Sequence, residues 1–396
     1  MESFAPVGIV RNIEQTEPPM KRCLLSALLL VASMAATHVT PLAHVDVFTS
    51  GKEGYKYFRI PAITTAADGT LLAFAEGRKY FGDDPGEVAE NELHLVCKRS
   101  TDGGRTWSNL IVIENPGQFC SAANPAAVLD RDTGRVWVVY MRCKPGRSTE
   151  KARAGTDDEQ VLARYSENNG QSWSAPVDLT EVSRDMTDST WKISVAGPGG
   201  MIQDRHGRLV AAMWRYQWGV FALFSEDHGR TWQRGQLAPE TGKSNENQLV
   251  ELADGRLMME YRCEDINQRY TLISDDGGRT WSQPRPGQKV TPVACAVHRY
   301  SLKSAGADAN RLLWTGPKGP DRHNLVLRIS YDEGQTFATE LELARGVAAY
   351  SDITILNDGS AGVLWERGDG ERGYRYLTFT RVTKEFLLRP ANGEMK

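Results

Sequence analysis

Cysteine is scarce and poorly placed for cross-linking in this 396-residue chain. Of six cysteines, Cys23 precedes an N-terminal apolar run. The others, Cys97, Cys120, Cys143, Cys263 and Cys295, are an odd number with no Cys-x-x-Cys spacing. Neither a disulfide framework nor a zinc site is indicated, so buried free thiols are expected, with a single disulfide left open. The seven histidines show no ligand spacing, and neither a phosphate loop nor a Ser-His-Asp pattern occurs. No metal and no cofactor are expected. Basic runs are also lacking, and a net charge of -3 gives no sign of a nucleic-acid-binding surface.

Long apolar runs are missing with one short exception. "MKRCLLSALLLVASMAATHVTPLA" has a basic start, an apolar run from Leu24 to Ala32, and small residues after it. That is the layout of a secretory signal peptide, too short for a membrane span. Cys23 lies ahead of the run, where it cannot serve as a lipid-bearing cysteine at the cleavage point. The segment begins at its own methionine, Met20. The expected division is therefore an upstream extension over 1–19, a signal peptide over 20–43 cleaved between Ala35 and Ala43, and one folded domain over 44–396. The mature protein is expected to be secreted or periplasmic.

Helical periodicity is absent beyond that point, and repetition takes its place. "STDGGRTW" (100–107), "SENNGQSW" (166–173), "SEDHGRTW" (225–232), "SDDGGRTW" (274–281) and "SYDEGQTF" (330–337) all read S-x-[DN]-x-G-x-[ST]-[WF]. In such a turn the Asp or Asn bonds backbone amides, the Gly takes a positive φ, and the aromatic plugs a neighbouring sheet. Turn-and-apolar-strand units alternate with these boxes, from "DGTLLAFAEGR" (68–78) to "DGSAGVLWER" (358–367). There are six such units, so the chain is expected to be all-β: a six-bladed β-propeller with four-stranded antiparallel blades. The strand near "YRYLTFTRV" would share the last blade with the N-terminal strand near "HVDVFTS". Length alone suggests two domains, but repeats add a core with each unit.

Arginine is placed oddly in this pattern. Arg59 interrupts the strand-like "YFRIPA", and Arg78 closes the next strand. Aligned by their turns, Arg78, Arg142, Arg215, Arg262 and Glu366 or Arg367 all fall at the ends of apolar strands. In a radial fold, such positions can converge on one face as an anion site.

"YFRIPA" followed by the S-x-D-x-G-x-T-W boxes resembles the sialidase (neuraminidase) superfamily, in its exo-α-sialidase branch, over nearly the whole mature chain. The resemblance implies a substrate carboxylate clamped by Arg59, by Arg262 at the end of "ELADGRLMMEYR", and by Arg322 in "DRHNLVLRIS". Arg299 is a reserve for the third place. Arg78 would line the same pocket, and Glu366 would brace Arg59. Tyr350 in "AAYSDITILNDGSAG" matches the family's catalytic tyrosine, with Glu246 in "SNENQ" as its base. The general acid would be an aspartate of "RKYFGDDPGE". Asp83 fits the family spacing best, with Asp84 still open. In "STWKISVAGPGG" Trp191 is kept, but Ile193 and Ser194 stand where bacterial relatives have aromatics, which puts one subpocket's shape in doubt. The implied protein is a monomer acting on sialylated glycoconjugates, with no nucleic-acid partner and no membrane span in the mature chain. A non-catalytic sialic-acid-binding propeller and a trans-sialidase or anhydro-product-forming relative are the alternatives.

Overall fold

The serine that opens each box organises its turn. In the computed structural model, which describes residues 42–370 and 373–388, Ser100 Oγ donates to Asp102 Oδ1 and accepts from Gly104 N–H. Asp102 then accepts from the N–H and hydroxyl of Thr106 at 3.0 and 2.6 Å. Ser225, Ser274 and Ser330 open their boxes in the same way. Where Asn168 replaces the aspartate, the amide donates to Ser172 Oγ instead. The turn survives because an amide can both accept and donate.

The box aromatics reach into the neighbouring group of strands. Trp173 meets Phe74 and Trp232 meets Trp137, each in the group before its own, while Trp107 of the first group meets Phe379 of the last. Each box's last glycine makes the same approach. A Cβ on Gly229, whose φ is +84°, would lie 2.2 Å from the Trp137 ring. Corresponding close contacts join Gly104 to Phe379, Gly170 to Leu72, Gly278 to Ala222 and Gly334 to Met258. The glycine thus serves a packing purpose as well as a conformational one.

The strands pair mainly antiparallel in successive groups, distributed over four hydrogen-bonded sheets of seven, five, nine and four strands. The groups open with the inner strands Tyr57–Thr65, Ser121–Leu129, Ser194–Ala196, Ser244–Glu251, Ala296–Ser301 and the second half of Thr339–Ile355. That last strand is long enough to end the fifth group and begin the sixth. Leu42–Thr49 pairs with Tyr376–Val382, so the first and last described strands share a group as expected. The strand begins two residues ahead of the boundary expected at 44. The proposed extension and the signal segment as far as residue 41 lie outside the described residues. Among the described residues no helix is long and apolar enough to cross a membrane.

Apolar clusters fill the spaces between consecutive groups. Phe74 and Leu95 pack on Val138 and Tyr140, while Leu364 and Phe379 pack on Phe58 and Ile63, joining the sixth group to the first. A strand inside a group therefore faces apolar neighbours on both sides, and Leu71–Arg78 is buried at every position. That is why the turn-strand units read as continuous apolar runs instead of alternating ones. The five cysteines in the described residues are free thiols, four of them buried.

Gly229→Ala should remove at least about 2 kcal/mol of stability, combining a disfavoured φ with overpacking against Trp137. Urea unfolding monitored by tryptophan fluorescence checks this; a loss below about 0.5 kcal/mol, the size of an ordinary surface substitution, would contradict it.

Candidate active site

A proline bulge aims the first arginine. Ile60, before Pro61, holds φ +59°, and the pairing with the next strand slips between Arg59 and Ala62. A β-branched residue rarely takes that conformation, so other contacts must hold it. Glu366, fully buried, supplies them: it accepts from Ile60 N–H at 3.0 Å and from Tyr350 N–H at 3.3 Å. It also receives Arg59 bidentately, Nε at 2.9 Å and Nη2 at 3.1 Å. Arg59 is thereby braced by Glu366, and its guanidinium lies 5.1 Å from the Tyr350 ring and 4.3 Å from Tyr374.

Bulges recur at the same level on the strands opposite. Pairing slips between Ser244 and Asn247, around Glu246, and between Ala348 and Ser351, around Tyr350. A bulge re-aims a side chain without ending the strand. Here the two bulged residues meet: Tyr350 Oη donates to Glu246 Oε1 at 2.5 Å. Arg262 Nη1 donates to the other carboxylate oxygen at 2.5 Å and to Tyr350 Oη at 3.0 Å, while Nη2 is held by Glu264 at 2.8 Å. Arg322 donates to Tyr374 Oη at 2.7 Å and to the Pro292 carbonyl, its guanidinium 5.5 Å from the Tyr350 ring. Arg59, Arg262 and Arg322 therefore surround one phenol. Burial, followed by the Glu246 charge, pushes that phenol well above its usual range; the three guanidiniums pull the other way without winning. Tyr350 is neutral at physiological pH and has a carboxylate in place to receive its proton.

Tyr350, Glu246, Arg262, Arg78 and Asp84 line one cavity of about 450 Å³. Of the two aspartates left open, Asp84 is the one that lines this cavity. Asp84 places its carboxylate 3.3 Å from Arg78 and 3.8 Å from Arg59, whereas Asp83 gives Arg78 only its backbone carbonyl. Arg78 itself is fully buried and held by Glu76 at 2.7 Å. The other strand-end arginines do not converge. Arg142 pairs with Gln160, Arg215 with Thr190, and Arg367 with Asp46. The reserve residue Arg299 is engaged by Glu333 and the Glu251 carbonyl and lines a different cavity. The potential ligand atoms of Asp130, Asp132 and His228 lie within 4.8 Å of one another, but Asp130 already accepts from Thr133 and Gln203, and none of the three lines this cavity.

Three features escaped sequence reading. Tyr374, directly after Gly373, carries no motif, yet it binds Arg322 and stacks on Arg59. Glu264, two residues after Arg262, braces it as Glu76 braces Arg78; the short Glu-x-Arg and Arg-x-Glu spacings were the available signal. The third concerns the altered "STWKISVAGPGG". Trp191 is buried, bonding Ser194 Oγ and packing on Phe221, and Ile193 is buried too. The aromatic wall comes instead from Trp214, Tyr216 and Trp218 of "WRYQWG", where Trp218 holds φ +72°.

Residues 69–363 match the BNR repeat-like domain. The chain is 32% identical over 360 residues to a sialidase of Micromonospora viridifaciens, covering 84% of this chain and 53% of the relative. To a sialidase of Bacteroides fragilis it is 28% identical, covering 87% of this chain and 65% of the relative. The chain thus spans about half to two thirds of the length of these curated relatives. Among solved structures, a Hadza microbial sialidase superposes with a TM-score of 0.76 at 23% identity, over 86% of this chain and 68% of that one. The intramolecular trans-sialidase from Ruminococcus gnavus gives 0.73 at 18% identity, over 87% and 98% respectively, a likeness of fold. With the repeated boxes, the matched domain and these relatives together, the chain belongs to the BNR-repeat sialidase superfamily, of bacterial type.

Proposed function

We propose that this protein is a secreted or periplasmic exo-α-sialidase, a monomeric six-bladed propeller spanning 44–396 that releases terminal α-linked sialic acid from glycoconjugates with retention. The observation that carries the proposal is the Tyr350–Glu246 hydrogen bond of 2.5 Å inside a ring of three arginines. The anomeric carbon of sialic acid bears a carboxylate, so an anionic nucleophile would approach it against like charge. A neutral phenol escapes that repulsion but must lose its proton as it attacks, and Glu246 is placed to take it.

The steps follow from the contacts. Arg59, Arg262 and Arg322 bind the substrate carboxylate, guanidinium forks suiting carboxylate geometry. Tyr350 Oη forms a bond to the anomeric carbon while its proton passes to Glu246. The glycosidic C–O bond breaks, and Asp84 gives its proton to the departing oxygen. Water then attacks the tyrosyl intermediate with Asp84 as base, and Tyr350 leaves, recovering its proton from Glu246. Trp214, Tyr216 and Trp218 beside the cavity favour a second reading, in which an acceptor other than water is held against the intermediate. The product's chemical form separates the two.

Tyr350→Phe removes one hydroxyl with little change in packing volume, so the fold and the clamp should persist. Turnover of a fluorogenic sialoside should fall by orders of magnitude while a sialic-acid-like inhibitor still binds. A 2,3-difluoro sialosyl probe should add one sugar to the Tyr350 peptide of the wild type and nothing to the variant. A fully active Phe variant would overturn the assignment. An inactive wild type that binds sialosides tightly would indicate a lectin.

The acid assignment has its own test. Asp84→Asn should slow substrates with poor leaving groups far more than activated aryl sialosides, because only the former need the proton. Asp83→Asn should leave that ratio near the wild-type value; the reverse pattern would return the role to Asp83.

A further inference from the structure

Two residues beyond Tyr350 and Glu246, on the same strands, stand Asp352 and Gln248. Like Tyr350 and Glu246, the two are hydrogen-bonded to each other between these strands, so they form a second pair next to the first. Both are buried, at 1% and 3% exposure. Asp352 Oδ2 accepts from Ile63 N–H at 2.8 Å, and Oδ1 accepts from Gln248 Nε2 at 3.0 Å. The N–H groups of Gly200 and Ile353 also donate to it. Gln248 Nε2 donates in addition to the Pro198 carbonyl at 3.0 Å, and its Oε1 accepts from Val297 N–H at 3.3 Å. Gly199–Gly200 in turn pairs with Ala126–Ala127. The two side chains therefore join the strands Tyr57–Thr65, Ser244–Glu251, Ala296–Ser301 and Thr339–Ile355 to the Pro198–Gly200 segment, which pairs in turn with Ser121–Leu129.

The packing around them leaves no slack. A Cβ on Gly199 would fall 1.9 Å from Gln248 Nε2 and 3.0 Å from Asp352 Oδ1. A buried carboxyl with only neutral donors around it is a costly choice where an apolar plug would fill the axis. The compensation lies in what it connects. The strands Thr339–Ile355 and Ser244–Glu251 belong to different sheets, with no ladder between them. Side-chain bonds across the axis join them at two places, Tyr350–Glu246 and Asp352–Gln248. Both strands are bulged just before the second bond, so it is the first fixed register beyond the site.

We propose that Asp352, acting with Gln248, is a positioning residue that holds Tyr350 and Glu246 at hydrogen-bonding distance across the axis. The inference deepens the sialidase reading of that pair and rests on it. The arginines have braces of their own in Glu366, Glu264 and Tyr374, so the latch governs the reacting pair more than the binding of the substrate carboxylate.

The latch needs an acceptor on both carboxyl oxygens, and therefore the ionised form. Burial pushes Asp352 up to about 7, and the groups facing it, Ile63 N–H, the Gln248 amide and the N–H groups of Gly200 and Ile353, are neutral donors. As pH falls through about 7, the acquired proton confronts donors and the latch loosens; as pH rises, it tightens.

In Asp352→Asn the amide nitrogen meets a donor, and in Gln248→Leu the cross-axis bond is gone. Both variants should keep KM within about threefold while kcat falls about 10- to 100-fold, as misplacements near 1 Å do. The asparagine variant should also lose the limb of kcat that rises through pH 7. Counting active sites with the difluoro probe corrects kcat for any unfolded fraction. Independently of turnover, the Tyr350 phenol, read as tyrosinate absorbance against Tyr350→Phe, should titrate at lower pH in Asp352→Asn, because its bond to Glu246 is weakened. Wild-type kcat per active site with an unshifted phenol would overturn the proposal, whatever happens to stability. An inactive wild type sinks the sialidase reading instead, and the phenol titration still decides the latch.

Discussion

Three guanidiniums held around one phenol ring repel one another, and that repulsion is balanced by the protein's own groups. Arg59 is pinned by Glu366, Arg262 by Glu246 and Glu264, and Arg322 by the Tyr374 hydroxyl. Arginines pinned beforehand would offer the proposed substrate carboxylate a clamp already in shape, without loss of the side-chain entropy of three long residues at binding. The same field acts on Tyr350. Burial and Glu246 raise its pKa, the arginines lower it, and the result is a phenol that stays protonated while hydrogen-bonded to Glu246. In the proposed mechanism, attack and deprotonation would be coupled by position.

Positioning depends on irregularities in otherwise regular strands. Ile60-Pro61 and Asn124-Pro125 follow one design: the residue before proline takes a positive φ, and its N–H is accepted by a buried glutamate from a neighbouring strand. Glu366 serves Ile60 and Arg59, and Glu76 serves Asn124 and Arg78. Each carboxylate therefore stabilises a strained backbone and an arginine together. The strain is stored beside the site, where it is held in place by surrounding contacts.

The repeat was legible because its physics is local. Serine, aspartate, glycine and aromatic act within eight residues, and five copies left little room for another reading. The position of Tyr350, Glu246, Arg262 and Glu366 was legible through motif resemblance. What sequence could not reveal was convergence. Arg142, Arg215 and Arg367 share the strand-end position of Arg78 and Arg262, but local partners turn them aside. Asp83 and Asp84 are neighbours in a Gly/Pro loop, and only the path of the backbone decides which carboxylate faces Arg78. Tyr374 and Asp352 are visible only once distant strands are brought to the axis.

The proposed tyrosyl intermediate would leave its mark, through retention, on the first molecule released. Hydrolysis of an aryl sialoside followed by proton NMR, faster than the sugar mutarotates, reads that mark directly. α-Sialic acid as the first-formed product, converting later to the β anomer, is the predicted result. β-Sialic acid appearing first would mean that water displaces the leaving group in one step, and the role assigned to Tyr350 would be wrong.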